Sequence, residues 1–442
     1  MRNRKNNSKR PQRREGTPST PAEYLEAKRR YLKRQQIRTK QQKNRQQPRP
    51  IESSKTVPKR RRFSALLTLA AQKAKRERWA TMAAETQAIV LGAGQYVEER
   101  RISNDSAALA QVQEGSGNTS SVVRIAHDIA VQIELSRQGT SFYPHYSDLL
   151  ASWAQRRPLG NTPNITTGTK TAIDFTRSST LTAARRLSYA TQNQETFPRT
   201  SLGVLSFASS KRPGGGFLHG GDEQEETIAR LSSLVASLGA PVAQEFYKEH
   251  RKHWIEDGSG LHDHSMVYSP GVVVFRRDVD DRLSLWGMEL RAGADDAVDG
   301  EFIAPYAVNV ISAVPVNAAA VRAKHLILPS EEQLFEDGIR SAMKERMART
   351  LALLEEKGDR VLVLGAFGCG SSQNRVDVVA SVWAELLVCG DAQDGGDARF
   401  KDTFERVVFA LPKRLYEPFK QAFEMRILEE QVVRATSAND DS

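Results

Sequence analysis

Apolar residues in this chain fall into two recurring patterns, short unbroken runs and stripes spaced three and four residues apart. Unbroken runs read as buried strands, and stripes read as amphipathic helices. Over 63–100 the spacing predicts helix, with Leu66, Leu67, Leu69, Trp79, Met82, Ala83, Ile89 and Val90 on its stripe. Residues 101–120 are polar and read as a loop. The pattern over 122–135 predicts a strand followed by a helix or by a second strand, and 143–153 predicts a short helix. Pro158, Gly160, Pro163 and Gly168 mark a connection over 156–170. A strand over 171–176 leads to a helix over 181–192. Ser178 or Ser179 is its expected N-cap, and Ala183, Ala184 and Leu187 are expected to face a sheet.

The second half repeats the alternation. Residues 202–208 form an apolar run of strand length, and a helix is expected from Glu226 to about 238, stopped by Gly239-Ala-Pro241. Residues 242–264 read as a polar surface insertion. Its His250, His253, His262 and His264 contain a His-x-His spacing suited to zinc, but no matching Cys or carboxylate set accompanies it, so no metal is expected. A strand over 266–275 is expected to break at Pro270-Gly271. A charged excursion over 276–304 and a strand over 306–313 follow. Over 331–357 a long stripe carries Leu334, Ile339, Met343, Met347, Leu351 and Leu354, with Gly358 as C-cap. The run 361–364 lacks alternation, as a strand covered on both faces does. A helix over 375–388, a Gly/Asp loop over 390–400, a strand over 404–411, a helix over 413–431 and a frayed end over 432–442 complete the chain. Strand and helix alternating in this way predict an α/β fold, a mixed, mostly parallel sheet with helices on both faces.

Charge divides the chain into two parts. Residues 1–62 hold 22 Lys and Arg against 4 Asp and Glu, whereas the rest holds 42 against 49. The basic segment is nearly free of large apolar residues and is expected to be disordered, because it buries too little surface to offset ordering entropy. It suits salt-dependent contact with polyanions. Pro58-Lys59-Arg60-Arg61-Arg62 looks like a nuclear-import motif, so the nucleus is the expected location, with the cytoplasm as second. No apolar run is long enough to span a membrane, and no secretory signal is visible. With Cys369 and Cys389 the only cysteines, no disulfide scaffold is expected and a reducing compartment fits.

Candidate chemistry concentrates in 202–226. Pro213 punctuates the chain after the 202–208 run, three glycines follow at Gly214, Gly215 and Gly216, and Gln224-Glu225-Glu226 opens the next helix. Adjacent glycines occur where backbone takes positive φ or comes very close to something. It is neither a Walker A loop, lacking Gly-Lys-Ser/Thr, nor a Gly-x-Gly-x-x-Gly dinucleotide fingerprint. Acids in a first helical turn suit the helix dipole, and two neighbouring carboxyls also suit glycosidic-bond cleavage. A second strand–glycine loop–helix unit stands at Gly365-Ala366-Phe367-Gly368-Cys369-Gly370. Two such loops on parallel strands suggest a diphosphate held between them.

Gly-Gly-Gly, a short spacer and Gln-Glu-Glu resemble the signature of poly(ADP-ribose) glycohydrolases, and the flanks Phe207-Ala-Ser and Pro213-Gly-Gly-Gly-Phe-Leu resemble its microbial-type branch. The resemblance covers about 75–425 and is tightest at 202–226 and 360–370. It implies a three-layer macrodomain-like fold over 63–431, with an N-terminal helical extension, and hydrolysis of ribose–ribose bonds in poly(ADP-ribose) or an ADP-ribosylated protein. It implies that Glu226 is the acid/base and that Glu225 holds ribose hydroxyls, with Gln224 beside them. Gly214 to Gly216 would shape the loop at the terminal ADP-ribose, while Gly365, Ala366, Phe367, Gly368, Cys369 and Gly370 would embrace the diphosphate. No cofactor and a monomer are expected. The chain departs from the branch at Ser206, His219 and Ser372. Ser206 and Ser372 are expected to weaken the grip on the scissile ribose, and Phe367 is a candidate substitute ring. The alternatives are a non-catalytic ADP-ribose reader and a nucleic-acid-binding protein that works through its tail.

Overall fold

The computed structural model describes residues 59–102, 121–155, 170–192, 201–256, 258–281, 299–324, 327–391 and 396–440. Most of the basic segment, the polar loop at 103–120 and the connection at 156–169 lie outside them. Lys59 to Arg62, placed in the tail by composition, instead open the first helix, α1 (Lys59–Leu91).

Seven strands form the main sheet. In chain order they are β3 (Ser141–Tyr143), β4 (Ala172–Thr176), β5 (Leu202–Phe207), β6 (Met266–Arg276), β7 (Phe302–Ala313), β8 (Val361–Gly365) and β9 (Arg406–Ala410). Their spatial order is β3-β6-β7-β5-β8-β9-β4. The run β7-β5-β8-β9-β4 is parallel throughout, and β6 pairs antiparallel with β7 and β3. Side-chain alternation along the central strands separates two apolar layers. Leu205, Ile311, Leu362, Leu364, Val407 and Phe409 pack under α9 (Glu332–Lys357), α10 (Val376–Ala384) and α11 (Lys413–Asp440). Val204, Val308, Val310, Val363 and Val408 pack under α4 (Thr180–Gln192), α5 (Gln224–Leu231), α6 (Leu234–Leu238) and α7 (Pro241–Glu256). The fold is therefore three-layered, with β8 buried at every position, as its unalternating run implies.

Several boundaries differ from the pattern for local reasons. The helix expected to reach residue 100 ends at Leu91. Gly94, at φ 71, turns the chain into β1 (Gln95–Ile102), which pairs antiparallel with β2 (Ser121–Asp128). The ambiguous stretch after β2 is a helix, α2 (Ala130–Gly139). The helix expected over 226–238 breaks at Ser232-Ser233, because Ser233 N–H donates to Val273 O at 2.8 Å and ties the chain to β6. The stop at Gly239-Ala-Pro241 stands, since α6 ends at Leu238 with Gly239 as its C-cap, and Pro241 then opens α7, where its missing N–H does no harm. Pro270-Gly271 makes a bulge within one continuous strand, not a break. The last helix continues past 431 to Asp440.

The histidine insertion is the largest difference. Only part of it is surface: Trp254 and Ile255 are exposed, but His250 is fully buried on α7 and His262 and His264 are half-buried. His145 stacks on His264, with ring centroids 5.2 Å apart. Among the described residues no His/Cys/Asp/Glu group is arranged to hold a metal ion, and no helix is long and apolar enough to cross a membrane.

Candidate active site

A cleft opens where two central strands part. β5 pairs with β8 only from Leu202 to Val204, while β8 stays paired with β9 to Gly365. The chain leaves β5 toward β6 on one side of the sheet and leaves β8 toward β9 on the other. Open α/β sheets leave a crevice at such a switch point, beyond the carboxyl ends of their strands. The cleft here holds about 1000 Å³ and takes its lining from the β5–α5 loop, the first turn of α5, the loop after β8, and segments at 177–181, 278–280, 314–317 and 410–415.

Gln224 fastens α5 to the parted edge of β5. Its Oε1 accepts from Phe207 N–H at 2.8 Å, and its Nε2 donates to Leu205 O at 2.8 Å. The next two residues are thereby aimed at the cleft with very different surroundings. Glu226 is half-buried. Its Oε1 accepts from Gly216 N–H at 2.6 Å and its Oε2 from Glu223 N–H at 2.9 Å, completing a capping box with Glu223. Capping and a place in the cleft are thus not alternatives for this residue.

Glu225 is 1% exposed. Its Oε2 accepts from Ser209 N–H at 2.7 Å, and Oε1 has no partner among the described residues. Burial pushes its carboxyl up to about 8, the Glu226 charge adds to the rise, and the Ser209 and Gly214 N–H groups oppose it. Burial thus favours the protonated form of Glu225.

The glycines work by closeness. Gly214 and Gly215 hold φ 66 and 55, and a Cβ on Gly214 would fall 2.9 Å from both Ala229 Cβ and the Phe217 ring. Across the cleft, Gly368 holds φ 70 at the turn after β8. No described residue accepts the backbone N–H of Gly368, Gly370 or Ser371. Free N–H groups in such a turn form a nest for an oxyanion.

The family comparison fits this geometry. The sequence profile described as "Microbial-type PARG, catalytic domain" matches residues 106–277. The crystal structure of poly(ADP-ribose) glycohydrolase from Thermomonospora curvata, bound to the inhibitor ADP-HPD, is 30% identical over 79% of this chain and 99% of that one, with a TM-score of 0.52. The chain belongs to the microbial-type poly(ADP-ribose) glycohydrolase family. A second structure of the Thermomonospora curvata glycohydrolase is 29% identical over the same shares, with a TM-score of 0.54. The Deinococcus radiodurans glycohydrolase in complex with ADP-ribose is 30% identical over 66% of this chain and 96% of that one, with a TM-score of 0.48. No protein of curated function matches the sequence.

Of the glycohydrolase signature residues, the cleft lining includes Gly215, Gly216, Gln224, Glu225, Glu226, Ala366, Gly368 and Gly370. Others lie behind it. Ser206 is fully buried under the α4–α7 layer, and its Oγ has no partner among the described residues. Gly365 packs against the Phe207 ring. Phe367 is fully buried with its ring 5.3 Å from that of Phe207, so it does not replace a ring missing at Ser372. Cys369 is buried too, and burial pushes its thiol up to about 12. In this loop the small residues face the cleft and the large ones face the core.

Other cleft residues gave no signal in the sequence. Asp278 and Asp280 come from the charged excursion. Asp280 accepts from Thr182 Oγ1 at 2.6 Å and from Ser179 N–H, capping α4 together with Ser179, whose Oγ accepts from Thr182 N–H at 3.2 Å. Burial raises Asp278 to about 6. Behind the lining, Tyr247, expected at the surface, is buried in the core, and desolvation and then the Glu225 charge raise its phenol well above its usual value. His262 reaches the cleft from the histidine segment.

Proposed function

We propose that this chain hydrolyses ribose–ribose O-glycosidic bonds in poly(ADP-ribose) and releases ADP-ribose. The observation that carries the reading is the pair Glu225 and Glu226, neighbours in one cleft with unlike surroundings, opposite a loop of free N–H groups. The Gly368–Ser371 turn receives the diphosphate, its N–H groups donating to phosphate oxygens. Glu225, kept protonated by burial, donates to a hydroxyl of the scissile ribose and orients it. Glu226 gives a proton to the departing ribose oxygen as the anomeric C–O bond breaks. Its carboxylate then takes a proton from water as the water oxygen bonds to the oxocarbenium carbon. The glycine loop holds the Glu226 oxygens in place, so little reorganisation accompanies the step.

The basic N-terminal segment serves this activity as a polyanion contact, and its Pro58–Arg62 stretch directs the chain to the nucleus. The protein acts as a monomer. Alanines at Lys59, Arg60, Arg61 and Arg62 should release the chain to the cytoplasm, and unchanged nuclear signal would count against that assignment.

The deciding experiment is release of ADP-ribose from poly(ADP-ribose) by the full chain, beside Glu226→Gln and Glu226→Ala. Turnover removed by both changes, with ADP-ribose binding retained, supports the reading. Binding without turnover in the wild type makes the protein a reader. Neither binding nor turnover overturns the ligand assignment itself.

A further inference from the structure

His262 stands in the cleft at a backbone conformation that an L residue adopts at a cost. Its φ is 58. The surroundings over-determine it. Asn317 N–H donates to Gly260 O at 2.7 Å. The fully buried Arg346 donates through Nη2 to Leu261 O and His262 O at 2.9 and 3.0 Å, and through Nη1 to Val314 O at 2.9 Å. On the other side, Ser265 donates to Asp263 Oδ1 through N–H at 3.0 Å and through Oγ at 2.6 Å. The chain is pinned on both sides of a strained residue, and the result is that His262 lines the cleft, as Val314, Pro315 and Asn317 do. Two contacts join this wall to the loop after β8. Asn374 Nδ2 donates to Val316 O at 2.7 Å and Gly368 O at 3.1 Å, and Ala319 N–H donates to Ser372 O at 3.1 Å.

The ring is free to meet a ligand. It is half-buried, and it packs edge-on against His250 with centroids 5.7 Å apart. Neither ring nitrogen has a hydrogen-bond partner among the described residues. The other aromatic ring in the lining, Phe207, is engaged by Phe367. Burial first, and then the Arg346 cation, push the imidazole down to about 3, so it is neutral. A neutral imidazole presents one donor and one acceptor. That pair matches a hydroxyl, which both donates and accepts, better than a phosphate, which only accepts.

We propose that His262 is a substrate-contacting residue whose imidazole hydrogen-bonds a ribose hydroxyl of the ADP-ribosyl unit held against residues 366–372. The proposal rests on the glycohydrolase reading above. Strain at His262 is then the means by which the ring is delivered to the sugar.

Such a residue separates stability from function, which gives the test. In the full chain, His262→Gly relieves the backbone and removes the ring. Its Tm should equal or exceed that of the wild type. The ADP-ribose Kd should rise and kcat/KM on poly(ADP-ribose) should fall, each about tenfold. His262→Phe keeps the bulk and loses the hydrogen bond, and the same loss of affinity is expected at little change in Tm. Unchanged Kd and kcat/KM in both variants overturns the proposal while the glycohydrolase reading stands. A Tm that falls together with activity in the Gly variant makes the role structural and also overturns it. Failure of the wild type to bind ADP-ribose, measured first, would instead remove the reading beneath.

Discussion

Gly216 donates its backbone N–H to Oε1 of Glu226 at 2.6 Å, and a Cβ at position 216 would fall 2.7 Å from that same oxygen. Gly221 is closer still, its Cβ position lying 2.0 Å from Glu226 Oε2. The signature glycines and the signature glutamate are therefore one device. The backbone comes near enough to hold the carboxylate only because it carries no side chain there.

Gly216→Ala follows directly from this contact. Gly216 has φ −96, which alanine adopts without strain, and the obstructing atom is the end of a side chain. The fold should survive while the carboxylate moves. A displacement of about 1 Å lowers kcat by roughly 100-fold, with Tm nearly unchanged. Full activity in a folded Gly216→Ala would show that the position of this oxygen does not matter to turnover.

Glu225 makes stability fall as pH rises. Its carboxyl, raised to about 8, binds a proton in the folded chain at pH values where the unfolded chain has released it. That contribution is complete below the unfolded carboxylate value near 4.5 and is lost between there and about 8. The slope is at most about 1.4 kcal/mol per pH unit. Glu225→Gln should flatten the wild-type profile across this window, as read by denaturant midpoints at several pH values. ADP-ribose affinity in the wild type should also weaken above about pH 8, where the donor ionises. An affinity constant from pH 6 to 9 would exclude that hydrogen bond.

Ser206 offers a simpler test. Its Oγ is buried without a partner among the described residues, and Ser312, opposite it on β7, is in the same position. An unpaired buried hydroxyl costs about 1–3 kcal/mol. Ser206→Ala should leave stability equal or higher and ADP-ribose affinity unchanged. Weaker ADP-ribose binding would place this side chain at the ligand after all.

The basic segment predicts a salt signature. Binding of the full chain to poly(ADP-ribose) should weaken steeply with salt, log Kd against log concentration having a slope set by the number of phosphates neutralised. Binding of ADP-ribose, which fills only the cleft, should show a shallow slope. Equal slopes would remove the tail from polymer recognition.

How much of this was legible without coordinates depended on the range of the signal. Local patterns determined the alternation of strand and helix, the buried character of β8, the Gly358 cap and the two glycine loops. Apolar period, capping residues and glycine placement act over a few neighbours, so a linear reading sees them. The same local reading linked Glu225 and Glu226, and only the family resemblance assigned them different roles. One is buried and the other is held by Gly216 and Glu223, and that difference arises only when the loop folds back on α5. It misjudged the histidine segment because polar composition suggested surface. Arg346, fully buried on α9 and far along the chain, supplies the hydrogen bonds that bring 261–262 inward. It likewise gave Ser206, Phe367 and Cys369 to the ligand, whereas strand and turn geometry direct their side chains to the core. The sequence by itself determined which elements form and which loops carry the chemistry. Tertiary structure alone decided which side chains reach the cleft and which carboxyl is desolvated, because direction and desolvation depend on residues distant in the chain.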